Sequence, residues 1–231
     1  MQIYGFNKLT LLDYPGHLAA ILFLGGCNMK CPFCQNASLV LNPTAQLPIP
    51  EEEVFALLEK RKNLLEGVCI SGGEPTLYPD LPAFIKKIKH LGYKVKLDTN
   101  GLNPSMIKAL VNDKLIDYIA IDIKNSKENY SQTCGIPYID ISKLEESVTY
   151  LLSSSLEYEF RTTVIKELHT ENDMLAIGQW IQGAKAYYLQ SYKDSGDIIR
   201  PGLHGHSKET LTQFTTLLAP YVEHVALRGV D

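Results

Sequence analysis

The chain has 231 residues, 45% hydrophobic and 21% charged, with 22 basic and 26 acidic side chains for a net charge of −4. That balance argues against general binding to nucleic acid or to an anionic membrane surface, and no apolar run approaches the length of a membrane span. Five cysteines, an odd number with three close together, do not form a secreted disulfide framework, so a reducing cytoplasm is the expected location.

In chain order, a β-rich run at 18–24 leads into Cys27, Cys31 and Cys34, and a loop with three prolines follows at 42–50. Pro50 before Glu51-Glu52-Glu53 opens a helix at 50–61. The alternation then continues with strands at 67–71, 94–98, 118–123, 158–165 and 186–190. Helices are expected between them at 80–91, 104–112, 141–152 and 171–182. A helix at 207–218 and a short strand at 222–227 close the chain. Alternating β and α elements predict parallel strands joined by right-handed crossovers. Six such strands are too few to close an eight-stranded barrel, so the expected fold is an open, partial (β/α)6 barrel. It forms a single domain over 1–231, with a core at about 18–193 and an extension at about 194–231.

Polar chemistry falls at the strand ends. The first strand runs into Cys27, the second into Ser71-Gly72-Gly73-Glu74, and the third into Asp98-Thr99-Asn100-Gly101. The fourth ends in Asp122-Ile123-Lys124, the fifth carries Arg161, and the sixth leads to Tyr192-Lys193. In β/α barrels the active site is built at such ends.

Cys27, Cys31 and Cys34 have the spacing C-x-x-x-C-x-x-C. Three thiolates can hold three irons of a [4Fe-4S] cube, whose ligands are ordinarily four cysteines. With no fourth cysteine nearby, one iron is left open for a substrate or cofactor, and the Gly-Gly-Glu turn that follows suggests S-adenosylmethionine (SAM). A structural zinc site wants four Cys or His ligands in paired spacings, and only the single Cys69 and Cys134 remain. Leu24-Gly25-Gly26-Cys27 resembles a lipoprotein cleavage box, but Asp13 offsets Lys8, Pro15-Gly16 interrupts the segment, and Cys31 and Cys34 would go unexplained.

Gly72 and Gly73 permit close backbone approach to a ligand, and Glu74 can accept a hydrogen bond from the SAM ammonium. An ordinary turn is the alternative for these residues. Phe33 can lie against adenine or serve as a core aromatic. Asp98 and Asp122 can bind ribose hydroxyls or a cation, and Lys124 can pair with the methionine carboxylate; solvated loop charges are the alternative. Arg161, within a strand, needs a partner. Cys69 and Trp180 read as core, and Cys134 as having no catalytic role. Lys86, Lys87 and Lys89 read as one solvated face, and His204 and His206 as a weak metal pair.

These motifs, in this order, resemble the radical-SAM superfamily and within it the glycyl-radical-enzyme activating enzymes. The stretches concerned are Cys27–Asn36, Ser71–Pro75, Asp98–Gly101 and Asp122–Lys124. The opening Leu9–Gly16 and the ending near Leu227–Gly229 resemble the activating proteins of anaerobic ribonucleoside-triphosphate reductase. The resemblance implies one [4Fe-4S] cluster on Cys27, Cys31 and Cys34, with Phe33 near adenine and Gly72, Gly73 and Glu74 at the methionine amino group. It also implies a monovalent cation at Asp98, Thr99 and Asp122, and SAM contact by Lys124. Gln35 and Lys193 stand where related activases carry histidines, which puts the ribose and adenine contacts in doubt. The implied partner is an anaerobic ribonucleotide reductase, or pyruvate formate-lyase or another glycyl-radical enzyme, with a flavodoxin or ferredoxin as electron donor. A radical-SAM enzyme acting on a small molecule, such as a deazapurine-forming synthase, is the alternative; a non-enzymatic iron–sulfur or zinc regulator is another.

Overall fold

A computed structural model describes residues 1–230. It is an α/β structure whose eight strands lie in chain order in one mostly parallel sheet. Contacts divide the chain into two compact units: Met1–Asn28, Ser38–Thr99 and Asn103–Ile119 form the first, and Met29–Ala37, Asn100–Leu102 and the chain from Ala120 form the second.

The first unit holds β1 (Ile3–Thr10), β2 (Ala19–Leu24), α1 (Ala37–Leu41), α2 (Glu51–Lys60), β3 (Gly67–Gly72), α3 (Leu81–His90), β4 (Lys94–Thr99) and α4 (Pro104–Asn112). α1 begins on the last residue of a second-unit segment. β2, β3 and β4 pair in parallel. Ala19 to Leu22 and Leu24 of β2 are buried, as are Val68, Cys69 and Ile70 of β3. This near-continuous apolar run is expected of parallel strands covered on both faces. In α3, Leu81, Phe84, Ile85 and Ile88 repeat at three- and four-residue intervals and are all buried. Each such side chain contributes roughly 1.5–3 kcal/mol by leaving water.

The six expected strands and the expected short last strand are all present in the sheet; β1 was not expected and adds one further strand. It pairs antiparallel with β2 and has two register shifts. Asn7, Lys8 and Leu9 towards its end are exposed, so it lacks an apolar run. A Cβ on Gly5 would lie 3.0 Å from the Phe23 ring, so a larger residue there needs that ring to give way.

β5 (Tyr118–Asp122) begins in the first unit and ends in the second. The second unit then carries α5 (Tyr130–Thr133), α6 (Ile141–Leu152), β6 (Glu157–Val164), α7 (Glu171–Trp180), β7 (Tyr187–Ser191), α8 (Lys208–Leu218) and β8 (Val225–Arg228). β6, β7 and β8 pair in parallel. α6 buries Leu144, Val148 and Leu151, and α8 buries Leu211, Phe214 and Leu218. Thr170 and Asp173 form a reciprocal capping box at the start of α7, worth about 1 kcal/mol. Among the described residues no helix is long and apolar enough to cross a membrane.

Candidate functional site

In the first unit, the Gly-Gly-Glu turn is laid directly on the backbone that leads to Cys27. Leu24 at the end of β2 pairs with Gly72 at the end of β3. Gly73 N donates to Leu24 O and Glu74 N to Gly26 O, both at 2.8 Å. A Cβ on Gly72 would meet Leu24 N at 2.2 Å, and one on Gly73 would meet Gly26 O at 1.8 Å. Gly72 also has φ +116°, a conformation that favours glycine. The backbone brought so close is therefore the chain's own, where the sequence suggested a ligand.

Glu74 is 1% exposed. Its Oε1 accepts hydrogen bonds from Thr76 N at 2.9 Å, Thr76 Oγ1 at 2.5 Å and Thr99 Oγ1 at 2.7 Å. Two of the expected site residues, Glu74 and Thr99, are thus joined directly. Asp98 pairs with Lys96, two residues earlier on the same face of β4, and both are buried. The Lys96 ammonium lies 5.8 Å from the Tyr118 ring centroid. Asp98 therefore has a cationic side-chain partner, which its expected role at a monovalent cation did not include.

In the second unit, the turn carrying Cys31 and Cys34 is gripped by distant backbone. Cys34 N donates to Cys31 O at 2.9 Å, and Lys30 N to Cys134 O at 2.9 Å. Arg200 N donates to Pro32 O at 2.8 Å and Ala37 N to Asp197 O at 3.3 Å. Gln35 Nε2 donates to Lys193 O at 2.6 Å, so the two residues that stand in place of histidines meet. The Cys31 thiol hydrogen-bonds to that of Cys134, which pulls it below the ordinary thiol range against the opposing effect of burial; the Lys124 charge adds to the pull. Burial pushes the Cys34 thiol up.

The same unit holds a chain of alternating charges. Asp122 Oδ2 is 3.1 Å from Lys124 Nζ, and Asp122 Oδ1 accepts from Arg161 Nε at 2.9 Å. Arg161 is also 4.0 Å from Glu159, whose two carboxylate oxygens each accept from Arg228 at 2.7 Å. The Arg228 guanidinium stacks 3.4 Å from the centre of the Tyr188 ring. Burial works against ionised Asp122, but Arg161 and Lys124 hold its carboxyl down at about 2. Burial likewise opposes charged Lys124, and Asp122 outweighs it, so the ammonium is held above its ordinary range. Arg161 has the partner that its place in a strand required.

Lys124 is also fixed through its backbone. Its N–H donates to the Tyr130 hydroxyl at 3.1 Å, and its carbonyl oxygen accepts from His169 Nε2 at 2.7 Å. Ile165 N donates to His169 Nδ1 at 2.9 Å, which places the ring proton on Nε2. Burial lowers the pKa of this imidazole. Phe33 is 3% exposed; its ring stands edge-on to His169 and 5.9 Å from Lys124 Nζ.

Three thiols are the soft donors that an iron–sulfur cluster takes. Cys27 belongs to the first unit and Cys31 and Cys34 to the second. Among the described residues no three His, Cys, Asp or Glu side chains stand together as a ready-made ion site. Tyr192 follows β7. Its hydroxyl is buried and has no hydrogen-bond partner among the described residues.

Cys69 is fully buried in β3, as expected. Trp180 is only half-buried, set against Tyr130 with Lys127 over its ring, so the expectation of a core residue is corrected. Lys89 is not simply solvated: it binds both oxygens of Asp117 at 2.8 and 2.7 Å. His204 pairs with Glu167 at 2.7 Å, and His206 Nε2 lies 3.1 Å from His169 O. Sequence reasoning missed Lys96, Glu159, His169, Tyr192 and Arg228. The two-residue spacing of Glu159 and Arg161 on one strand face was the available signal for part of the charge chain.

Residues 21–180 match the family model of the radical SAM superfamily. A Methanocaldococcus jannaschii protein carrying the name of a glycyl-radical enzyme activating enzyme is 31% identical over 235 residues, covering 99% of this chain and 96% of its own. A 7-carboxy-7-deazaguanine synthase of Methanopyrus kandleri is 24% identical over 180 residues, 68% of this chain and 70% of its own. Among solved structures, Streptococcus suis SuiB has a TM-score of 0.71 at 16% identity, covering 91% of this chain and 49% of that one. That likeness establishes a shared fold.

Proposed function

The chain belongs to the radical SAM superfamily, and from that premise we propose that it is an activating enzyme that generates a glycyl radical on a partner enzyme, an anaerobic ribonucleoside-triphosphate reductase. Membership implies a [4Fe-4S] cluster and SAM as cofactors. The observation that carries the activating role is the 31% identity, across nearly the whole of both chains, with a relative bearing that name. The choice of reductase rests on the resemblance of the opening Leu9–Gly16.

When bound, the cluster and SAM supply one-electron reductive cleavage of SAM and, from it, a 5′-deoxyadenosyl radical able to take hydrogen from a backbone glycine. The chain's own residues bind and orient. Cys27, Cys31 and Cys34 ligate the cluster. Glu74 carries the negative charge for the methionine ammonium, and the Gly73–Gly26 contact fixes where that charge stands. Lys124 offers its ammonium to the methionine carboxylate, held in place by Asp122, Tyr130 and His169. Asp98 and Thr99 face the ribose, and Gln35, Lys193 and Phe33 the adenine side. We do not extend this to a monovalent cation, because Lys96 neutralises Asp98, and Lys124 and Arg161 neutralise Asp122. The electron enters from a flavodoxin or ferredoxin, in the cytoplasm.

The match to a deazaguanine synthase favours a second reading, a small-molecule substrate. The test is to incubate reduced, reconstituted protein with SAM and a purified anaerobic reductase and record the electron paramagnetic resonance spectrum. A glycyl-radical doublet that vanishes when the reductase's radical-site glycine becomes alanine supports the proposal. No radical on any glycyl-radical enzyme of the same cell, with steady SAM turnover on a small metabolite, replaces it with the second reading.

A further inference from the structure

Arg228 of β8 reaches past its neighbouring strand. β7 lies between β6 and β8 in the sheet, and Arg228 is in register with Gln190 of β7. Its guanidinium passes over Tyr188, stacked 3.4 Å from the ring centre. Beyond it, the guanidinium gives one bond at 2.7 Å to each carboxylate oxygen of Glu159 on β6. A planar guanidinium suits both the two-pronged bond and the aromatic face. The carboxylate of Glu159 is completely buried, where an ionised group needs a cation beside it.

Arg161 stands between two carboxylates. It lies on the same face of β6 as Glu159, 4.0 Å from it, and donates to Asp122 at 2.9 Å. Asp122 in turn holds Lys124 at 3.1 Å. The order is therefore Lys124, Asp122, Arg161, Glu159, Arg228: three cations against two carboxylates, with one positive charge in surplus. With Arg228 on Glu159, Arg161 is left to Asp122 and the surplus falls on Lys124. Without Arg228 the charges of the series balance, and the buried Glu159 draws Arg161 to itself. Asp122 then keeps Lys124 as its partner in the series and holds that ammonium more tightly, away from a ligand.

We propose that Arg228 is a positioning residue for SAM: by occupying Glu159 it reserves Arg161 for Asp122 and leaves the charge of Lys124 to the methionine carboxylate. This rests on Lys124 being the carboxylate contact, as proposed above.

The test is isothermal titration under argon of reconstituted protein of measured iron content. The ligands are SAM and its decarboxylated analogue, which keeps the sulfonium and ammonium but has no carboxylate. Lys124→Ala is the control for the underlying reading. It should bind SAM roughly ten- to hundredfold more weakly and bind the analogue as the wild type does. Arg228→Ala should bind SAM about tenfold more weakly, within the range of couplings in one ion-pair network, and bind the analogue unchanged. Combining Arg228→Ala with Glu159→Gln removes the carboxylate that captures Arg161, and should restore most of the wild-type affinity for SAM. Wild-type SAM affinity in Arg228→Ala, beside a weakened Lys124→Ala, would overturn the inference and leave the Lys124 contact intact. Equal losses for SAM and the analogue would also overturn it, as would a double variant that binds SAM no better than Arg228→Ala; either result makes Arg228 a support of the fold alone. Wild-type SAM affinity in Lys124→Ala would instead overturn the contact itself, and the inference with it. If Arg228→Ala does not fold, Arg228→Gln, which keeps bulk and a donor without the charge, replaces it in every comparison.

Discussion

Glu74 performs two tasks that substitutions can separate. As a buried cap it gathers three donors on Oε1, from Thr76 N, Thr76 Oγ1 and Thr99 Oγ1; as a proposed SAM ligand it supplies charge. Glu74→Ala removes both. Leaving buried donors without an acceptor costs about 1–3 kcal/mol each, so with partial relaxation the alanine variant should lose about 3 kcal/mol of stability. Glu74→Gln keeps an oxygen for the same donors and loses only the charge, and should cost about 1 kcal/mol by the difference between charged and neutral hydrogen bonds. For SAM, loss of a bond to a charged group costs about 1.5–3 kcal/mol, or roughly ten- to hundredfold in affinity. Urea denaturation of the three proteins and isothermal titration with SAM under argon separate the two effects. Glutamine should be near-native in stability yet weak in SAM binding. Wild-type SAM affinity in Glu74→Gln would refute the ligand role, and an alanine variant as stable as the glutamine one would refute the cap.

The contact between Gly73 and Gly26 predicts that Gly73→Ala, whose Cβ would fall 1.8 Å from a backbone oxygen, loses about 3 kcal/mol. Gly92→Ala, with open space but φ +92°, should lose only about 1 kcal/mol; equal losses in urea melts would show that the close approach is unimportant. Asp122 is held at about 2 against an ordinary 3.8, so its folded-state pKa is depressed. Its contribution is fully present above about pH 4 and disappears as the pH falls through about 2, amounting to at most about 2 kcal/mol. Between pH 5 and pH 2.5 the wild type should therefore lose more stability than Asp122→Asn, and parallel pH profiles would contradict the assignment.

Much of the architecture is written in local pattern. Apolar runs such as Ala19–Leu24 and the spacing of Leu81, Phe84, Ile85 and Ile88 are unambiguous because burial on both strand faces and on one helix face leaves different periodicities. β1 lacked that signature, since an edge strand with Asn7 and Lys8 in solvent looks like a loop. α1 and α5 are five and four residues long, too short to show a helical period. The motif residues were visible because cysteines, glycine pairs and strand-end carboxylates are unusual together. Their supports were not: His169 acts through backbone atoms of residues 124 and 165, and Glu159 meets Arg228 across 69 positions. The glycine pair was recognised for its lack of side chain, but only coordinates show that the neighbour is Gly26.

The grip on the cysteine turn also imposes an order of events during synthesis. Residues 30–37 leave the ribosome early, yet the groups that hold them come from Cys134, Lys193, Asp197 and Arg200. A nascent chain released at residue 190 would carry all three motif cysteines and lack three of those four holders. The hydrogen bonds that hold the cysteine turn are therefore completed only after Arg200 has been made.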